Sequence, residues 1–511
     1  MTVAVVHLWR LLKWGRTLAR HGALQGIERD PLTPPNVRRL CRVARFGAAQ
    51  PAIPDYAAAL QEIGPAAIKL GQALSTRPDL VGADAAENLL QLTDSLPPAP
   101  FPAIKSSVEQ ALEAPLDSLF SRFDQEPVGA ASIAQVHHAV TTEGREVAVK
   151  VLRPGIEEEF ARAIETYEWA AAHVELLGGE AERLRPRMVV AYFKQWVRRE
   201  LDLQREAASA SELKDNMVAE PGFHVPEIDW SRTARRVLTL EWLDGIKLSK
   251  RDELIAAGHD PKALAATLVR AFLRQAVVDG YFHADLHQGN LFALKDGRVA
   301  AVDFGIMGRI DRQARLWLAE ILYGLITGNY MRVAEIHFEA QYVPPHHDVA
   351  EFATALRAVG EPIRGLPVKE ISVGRMLDGL FSITRDFDMP TQPHLLLLQK
   401  TMVMEEGVAT ALDPDINMWE TTEPFLKDWI RTELGPEAYY ADRIIDTVRA
   451  FKLIPDLIKR IDAAYPKPGG APPPPPLADV AMIERKSWMT PLAIALGSAA
   501  VAAAAMWFVL G

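Results

Sequence analysis

Three side chains in this 511-residue chain carry oxygen ligands at intervals that suit metal-assisted phosphate chemistry: Asp285, Asn290 and Asp303, spaced by five and thirteen residues. They stand in His283-Ala-Asp-Leu-His-Gln-Gly-Asn290 and in Val302-Asp-Phe-Gly305. Two carboxylates and a carboxamide are hard ligands of the kind Mg²⁺ accepts while it bridges phosphate oxygens. Phosphoryl transfer spreads negative charge over several oxygens, so it needs a held cation and a carboxylate that orients the acceptor. Asp-Phe-Gly alone is a chance tripeptide; the upstream Asp and Asn, and the strand-like run from Arg298 to Val302, give it weight. His283, Asp285 and His287 also alternate, and on a strand all three would face one way, as zinc ligands do. Gly289-Asn290 and the following Asp-Phe-Gly favour a loop instead, with the two histidines bracing it by hydrogen bonds.

The order and spacing resemble protein-kinase-like folds, in which the first Asp belongs to the catalytic loop while Asn and the second Asp hold the metal. On that resemblance Asp285 is the catalytic residue, and Asn290 and Asp303 are the metal ligands. The elements upstream should then supply a phosphate cover, a strand Lys and a helix Glu. Lys150 lies in Val147-Ala-Val-Lys-Val, a β-branched run that reads as a strand, and would pair the α- and β-phosphates of ATP. Before it comes Val128-Gly129-Ala130-Ala131-Ser132-Ile133-Ala134-Gln135, with alanine where kinases place glycine. Each added Cβ narrows the allowed backbone range, so this loop is expected to be stiffer than a glycine loop. The Lys-pairing Glu is displaced; the candidate is Glu206 in Glu200-Leu-Asp202-Leu-Gln-Arg-Glu206, read as one helix dense in carboxylates. A solvated acidic face is the alternative reading of those three residues. Glu241 and Leu243, at the end of a strand-like stretch, are the expected adenine contacts.

With these residues assembled, the chain resembles the UbiB family of atypical kinase-like proteins. Lys69-Leu-Gly71-Gln72 resembles that family's Lys-x-Gly-Gln signature, and Arg77-Pro-Asp79 its extension. The alanine loop, Glu200-x-Asp202, the His-x-Asp loop and Asp-Phe-Gly complete the set between Lys69 and Gly305. The resemblance implies that the Lys-x-Gly-Gln segment lies across the active site where a protein kinase accepts peptide. Lys69 would engage Glu200 and Asp202, with Gln72 beside it, as a regulatory cluster. It also implies ATP and Mg²⁺ as cofactors and a role in ubiquinone biosynthesis. A small-molecule kinase of the aminoglycoside or choline type shares the His-x-Asp-x-His-x-Gly-Asn loop but is not expected to carry the Lys-x-Gly-Gln and Glu-x-Asp pair. A non-catalytic, ATP-gated lipid-binding module is a third reading. After Gly305 a helical pattern begins almost at once and no Ala-Pro-Glu follows, so phosphorylation of proteins in trans is not expected.

The elements that must position these groups read as an α+β, two-lobed kinase-like fold. A basic amphipathic helix is expected over 1–25, a family-specific helical extension over 26–120, an N-lobe with inserted helices over 121–245 and a C-lobe over 246–465. A proline-rich linker follows over 466–480, then a transmembrane helix over 488–510. With 49% hydrophobic and 24% charged residues, the bulk is an ordinary globular chain. The net charge of −10 argues against nucleic acid as a partner, and the single Cys41 excludes an internal disulfide.

Both ends speak of membrane. No charge appears between Lys486 and Gly511, and Pro491 to Leu510 is long enough to span a bilayer, with Trp488 and Trp507 near its ends. Arg485 and Lys486 before the span are expected to keep the kinase-like part in the cytoplasm, and the family resemblance implies a bacterial inner membrane. Ala493 and Gly497, four apart, would let two such helices approach, so a homodimer through this segment is an expectation. At the start, Arg10, Lys13, Arg16 and Arg20 are interspersed with apolar residues, without the order of a signal peptide. That helix reads either as lying on the membrane or as packed on the core. The two ends make membrane lipid an expected partner, and the family resemblance adds polyprenyl-quinone precursors and ubiquinone-biosynthesis enzymes.

Overall fold

The computed structural model describes residues 3–25, 28, 35–47, 51, 53–75, 88–89, 92, 97–175, 186–364, 383, 386–389, 393–416, 425 and 429. They divide into two compact units. The first takes the described residues up to Ala208 together with Glu227–Trp242; the second takes Ser209–Pro226 and the described residues from Leu243 on.

In the first unit an antiparallel sheet runs in the order β1 (Phe120–Phe123), β3 (Ala134–Thr141), β4 (Glu146–Leu152), β6 (Val237–Glu241), with β2 (Gly129–Ala130) paired to β3. Strand β4 owes its place to period-two burial. Val147, Val149 and Val151 point into a core completed by Val237 and by Ile104 and Val108 of helix α5 (Phe101–Leu112). Lys150 falls on the opposite face, between Val136 of β3 and Leu238 of β6 in register. The β3–β4 turn closes at Gly144, whose φ of +86° an L side chain rarely tolerates.

Helices α1 (Val3–Arg20), α2 (Pro35–Arg45), α3 (Tyr56–Ile63) and α4 (Pro65–Ser75) form a second core in this unit, around Leu18, Leu24, Cys41, Leu60, Ile68 and Leu89. Gly71 of α4 is a packing requirement: a Cβ there would stand 2.5 Å from both Leu60 Cδ1 and Leu92 Cδ1. Of the two readings of the N-terminal helix, the structure takes the packed one. The Nδ1 of His7 is 3.0 Å from Thr166 Oγ1, and Leu11 meets Ala170, both on helix α7 (Ile156–Glu175). Three of the four basic residues singled out on α1 are bonded within the unit: Arg10 to the Arg162 carbonyl, Arg16 to the Phe46 carbonyl, and Arg20 to Glu62. These bonds lie at the surface, and Trp9 and Leu12 of the same helix stay exposed.

One expectation about helix continuity is corrected. Glu200 ends helix α8 (Pro186–Glu200), and a new helix α9 (Leu203–Asn216) starts after a turn at Leu201 and Asp202. Glu200, Asp202 and Glu206 thus lie on two helices and their junction rather than on one acidic helix. The turn is held by Leu201 N–H on the Val197 carbonyl and Leu203 N–H on the Arg235 carbonyl.

The second unit contains a mixed sheet, ordered β5 (Phe223–His224), β10 (Val299–Ala301), β9 (Leu291–Leu294), β7 (Gly245–Lys247), and a separate pair of β8 (Tyr281–His283) with β11 (Met307–Arg309). Helices α10 (Arg251–Ala256) and α11 (Pro261–Leu273) precede β8, and α12 (Arg312–Thr327), α13 (Tyr330–Glu339), α14 (Val349–Arg364) and α15 (Pro393–Leu412) follow β11. A π-helical turn over Arg274–Asp279 ends at Gly280, in a left-handed conformation, and redirects the chain from α11 into β8. Among the described residues no helix is long and apolar enough to cross a membrane; 466–480, 488–510, Arg77 and Asp79 lie outside them.

Candidate functional site

Lys150 and Glu206 come together in the first unit. The Lys150 ammonium donates to both carboxylate oxygens of Glu206, at 2.8 and 3.0 Å, with side chains only 15% and 7% exposed. Glu206 occupies the first turn of α9, where the helix dipole favours a negative charge. A second ion pair lies in the same unit: Lys69 Nζ is 3.2 Å from Glu200 Oε2, both side chains 11% exposed, with the ammonium 5.9 Å from the Trp196 ring centroid. Of the two motif carboxylates the resemblance assigns to Lys69, Glu200 is the one seen paired with it. Asp202 sits in the turn, and its buried Oδ1 takes no hydrogen bond. Gln72 follows Gly71 on the same helix, half-buried.

The alanine-rich loop is a tight hairpin. Gly129 and Ala130 pair with Val136 and Gln135, and Ala131 N–H donates to the Ala134 carbonyl at 2.8 Å. Ser132, Ile133 and Ala134 are buried while Val128 is 59% exposed. Gln135, expected among the nucleotide-contacting residues, commits its amide to the protein: Oε1 accepts from Ala99 N–H and Nε2 lies 2.7 Å from His137 Nε2. It is a brace beneath the loop. Sequence reasoning missed Arg153, three residues past Lys150. Its guanidinium donates to the carbonyls of Ala131 and Pro97, and its backbone N–H donates to the Ile133 carbonyl, so the turn is pinned from below. At the far end of β6, Glu241 Oε2 accepts from Glu227 N–H, and Trp242 stacks edge-on against His138. Leu243 begins the second unit, half-buried.

In the second unit His283 organises the loop that carries Asp285 and Asn290. Its Nδ1 accepts from Asp285 N–H at 3.1 Å, and its Nε2 lies 3.1 Å from the Val302 carbonyl. Those partners require the Nε2–H tautomer. The ring is fully buried, and burial holds its pKa below the usual histidine value. Both nitrogens are thereby occupied, which removes the zinc alternative for this loop. His287 Nδ1 accepts from Gly289 N–H. One brace therefore fixes the Asp285 loop to the strand end that precedes Asp303.

Asn290 is buried and donates from Nδ2 to the Asp285 carbonyl at 3.1 Å, while Val302 N–H donates to the Asn290 carbonyl at 2.9 Å. The amide is oriented so that Oδ1, the atom a hard cation needs, stays out of that bond. Asp303 adopts a left-handed backbone with φ of 64°. For a residue other than glycine this costs about 1–3 kcal/mol, a strain that gathers at functional sites. Phe304 is buried edge-on against His283, 5.4 Å between centroids. After Gly305 the chain forms β11 against β8, with Met307 opposite His283, and Asp311 caps α12 by accepting from Ala314 N–H. That leaves no room between Asp303 and α12 for a long activation segment.

Comparison with known proteins gives these arrangements a family. Residues 91–337 match the ABC1 atypical kinase-like domain, and residues 356–417 match the UbiB helical domain. A curated relative from Marinobacter nauticus, named "Probable protein kinase UbiB", is 42% identical over 382 residues, covering 74% of this chain and 70% of that protein. Among solved structures, the Rv3197–erythromycin complex from Mycobacterium tuberculosis matches at a TM-score of 0.50 and 26% identity, over 71% of this chain and 93% of that one. Its kinase-like α+β fold and the identity across most of its length place this chain in the UbiB family of ABC1 atypical kinase-like proteins.

Proposed function

We propose that the chain binds and hydrolyses ATP with Mg²⁺ and serves ubiquinone biosynthesis, acting on access to polyprenyl-quinone intermediates and not by phosphorylating proteins in trans. The observation that carries this reading is the oriented Asn290 amide beside a left-handed Asp303: two oxygen donors set in a braced loop, the donor chemistry Mg²⁺ prefers. When bound, Mg²⁺ would neutralise developing charge on the phosphate oxygens. Asn290 and Asp303 would hold it, and Asp285 would orient the acceptor, water in the hydrolytic reaction. Lys150, kept in place by Glu206, would pair the phosphates, and the pinned turn at Ala131–Ala134 would cover them through backbone N–H groups.

Two features support a reaction other than protein phosphorylation: the short passage from Asp303 to α12, and the Lys69–Glu200 pair that ties the Lys-x-Gly-Gln helix down. Membership in the UbiB family, with what that resemblance implies, supports ubiquinone biosynthesis as the setting. The uncharged stretch after Lys486, outside the described residues, supports an anchor in the bacterial inner membrane, with the kinase-like part in the cytoplasm. Quinone and precursor profiling in a deletion strain tests the proposal. Wild type should restore the quinone and Asp303→Asn should not; full restoration by Asp303→Asn would reject the catalytic part of the reading. A small-molecule kinase predicts instead an unchanged quinone profile and a phosphorylated metabolite that disappears with the gene.

A further inference from the structure

Outside the residues assigned above, the second unit brings one carboxylate against two adjacent imidazoles. His346 and His347 follow Pro344-Pro345 in the turn between α13 and α14. Asp388 arrives from a separate segment, and its Oδ2 lies 3.3 Å from His347 Nε2 and 3.6 Å from His346 Nε2. One ligand atom from each of the three residues lies within 4.8 Å of the others. A tetrahedral zinc ion with bonds of about 2.0–2.1 Å keeps its ligand atoms roughly 3.3 Å apart. The Asp–His separations are already close to that edge.

The cluster is built from behind. Phe387, the neighbour of Asp388, is buried edge-on against Phe352 of α14 and tilted against the His347 ring, at 4.9 and 5.2 Å between centroids. Asp388 itself takes a left-handed backbone with φ of 48°. On the histidine side, His347 N–H donates to the Pro344 carbonyl, which fixes the turn. Asp348 is committed elsewhere, capping α14 through Ala350 and Glu351 N–H. A single carboxylate needs one imidazolium to form an ion pair. Here it has two, their ring centroids 4.1 Å apart. Two imidazoles and a carboxylate converging on one point make a set that suits a borderline divalent cation, whereas Mg²⁺ prefers oxygen alone.

We infer that His346, His347 and Asp388 bind a divalent cation of the zinc class, with a fourth position open to solvent, and that the ion ties residues 386–389 to the α13–α14 turn. This site is separate from the Mg²⁺ ligands and does not depend on the proposed reaction.

The test uses tag-free full-length protein, stripped with chelator and titrated with Zn²⁺ against a chromophoric chelator in excess Mg²⁺. Wild type should bind one more equivalent of zinc than His346→Ala or Asp388→Ala, or bind it at least about tenfold more tightly. Co²⁺ in place of zinc should give the intense visible absorption of a tetrahedral site in wild type, and the two variants should lose it. His346 and Asp388 are 64% and 61% exposed, so both variants should melt like metal-free wild type. Equal zinc stoichiometry and affinity in wild type and Asp388→Ala would overturn the site, as would a wild-type cobalt complex without that absorption.

Discussion

Lys150 and Glu206 hold opposite charges where little water reaches them, so each makes the other tolerable. Removing one partner takes the nearest counter-charge from a desolvated group, which costs about 3–5 kcal/mol in buried pairs. Lys150→Met or Glu206→Leu alone should therefore destabilise the chain by roughly that amount. The double variant should lose less than either single one, as denaturant titration of all three would read. His283 makes a different prediction at the same scale. Burial lowers its pKa from 6.5, so an unfolded chain takes up a proton that the folded ring refuses. The stability this group supports is complete above 6.5 and falls as the pH drops below it. His137 and His337 are also lowered by burial and act in the same direction. Replacing His283 by Gln should flatten the acid limb of a stability–pH curve by up to about 1.4 kcal/mol per pH unit. An unchanged slope would mean that the ring is protonated in the folded loop.

At the scale of elements, Gly71 decides how closely α4 can lie on α3. A methyl group at Gly71 would meet Leu60 and Leu92 at 2.5 Å, both buried, so Gly71→Ala should cost about 1–3 kcal/mol by overpacking. Because α4 also carries Lys69, the same variant should loosen the Lys69–Glu200 pair, visible as faster hydrogen exchange in 65–75. In the hairpin, Arg153→Ala should release the Ala131 carbonyl and weaken nucleotide affinity beyond its effect on melting temperature. Equal affinity in Arg153→Ala and wild type would remove the turn from the phosphate cover. These elements also show where the sequence was readable. The loops around Asp285 and Asp303 were legible because a handful of neighbouring residues determine them. The Lys150 strand was legible because its apolar alternation is local. The break at Leu201-Asp202 was not: the apolar spacing continues through Leu201 and Leu203, no Gly or Pro marks a stop, and the turn depends on a bond to distant Arg235. Arg153 and the brace formed by Gln135 were invisible for the same reason, since their partners lie at Pro97 and Ala99. Helix α1 was ambiguous because an apolar stripe fits a membrane or a neighbouring helix equally well. The neighbours that bury one face of it, α7 among them, come from distant sequence.

Over the whole molecule, the family relationship and the two sets of residues point to one chemistry. The first unit supplies a paired lysine and a pinned turn; the second supplies oxygen donors in a loop locked by one histidine. The account stands on Asp303, whose carboxylate an amide cannot replace as a counter-charge for Mg²⁺. The decisive measurement is Mg²⁺-dependent ATP hydrolysis by purified wild type and Asp303→Asn, matched for folding by circular dichroism. The account predicts turnover in wild type and a loss of at least about a hundredfold in Asp303→Asn, because on this reading the carboxylate would be the charge that holds the metal. Hydrolysis by Asp303→Asn at the wild-type rate, with the same dependence on Mg²⁺, would contradict it.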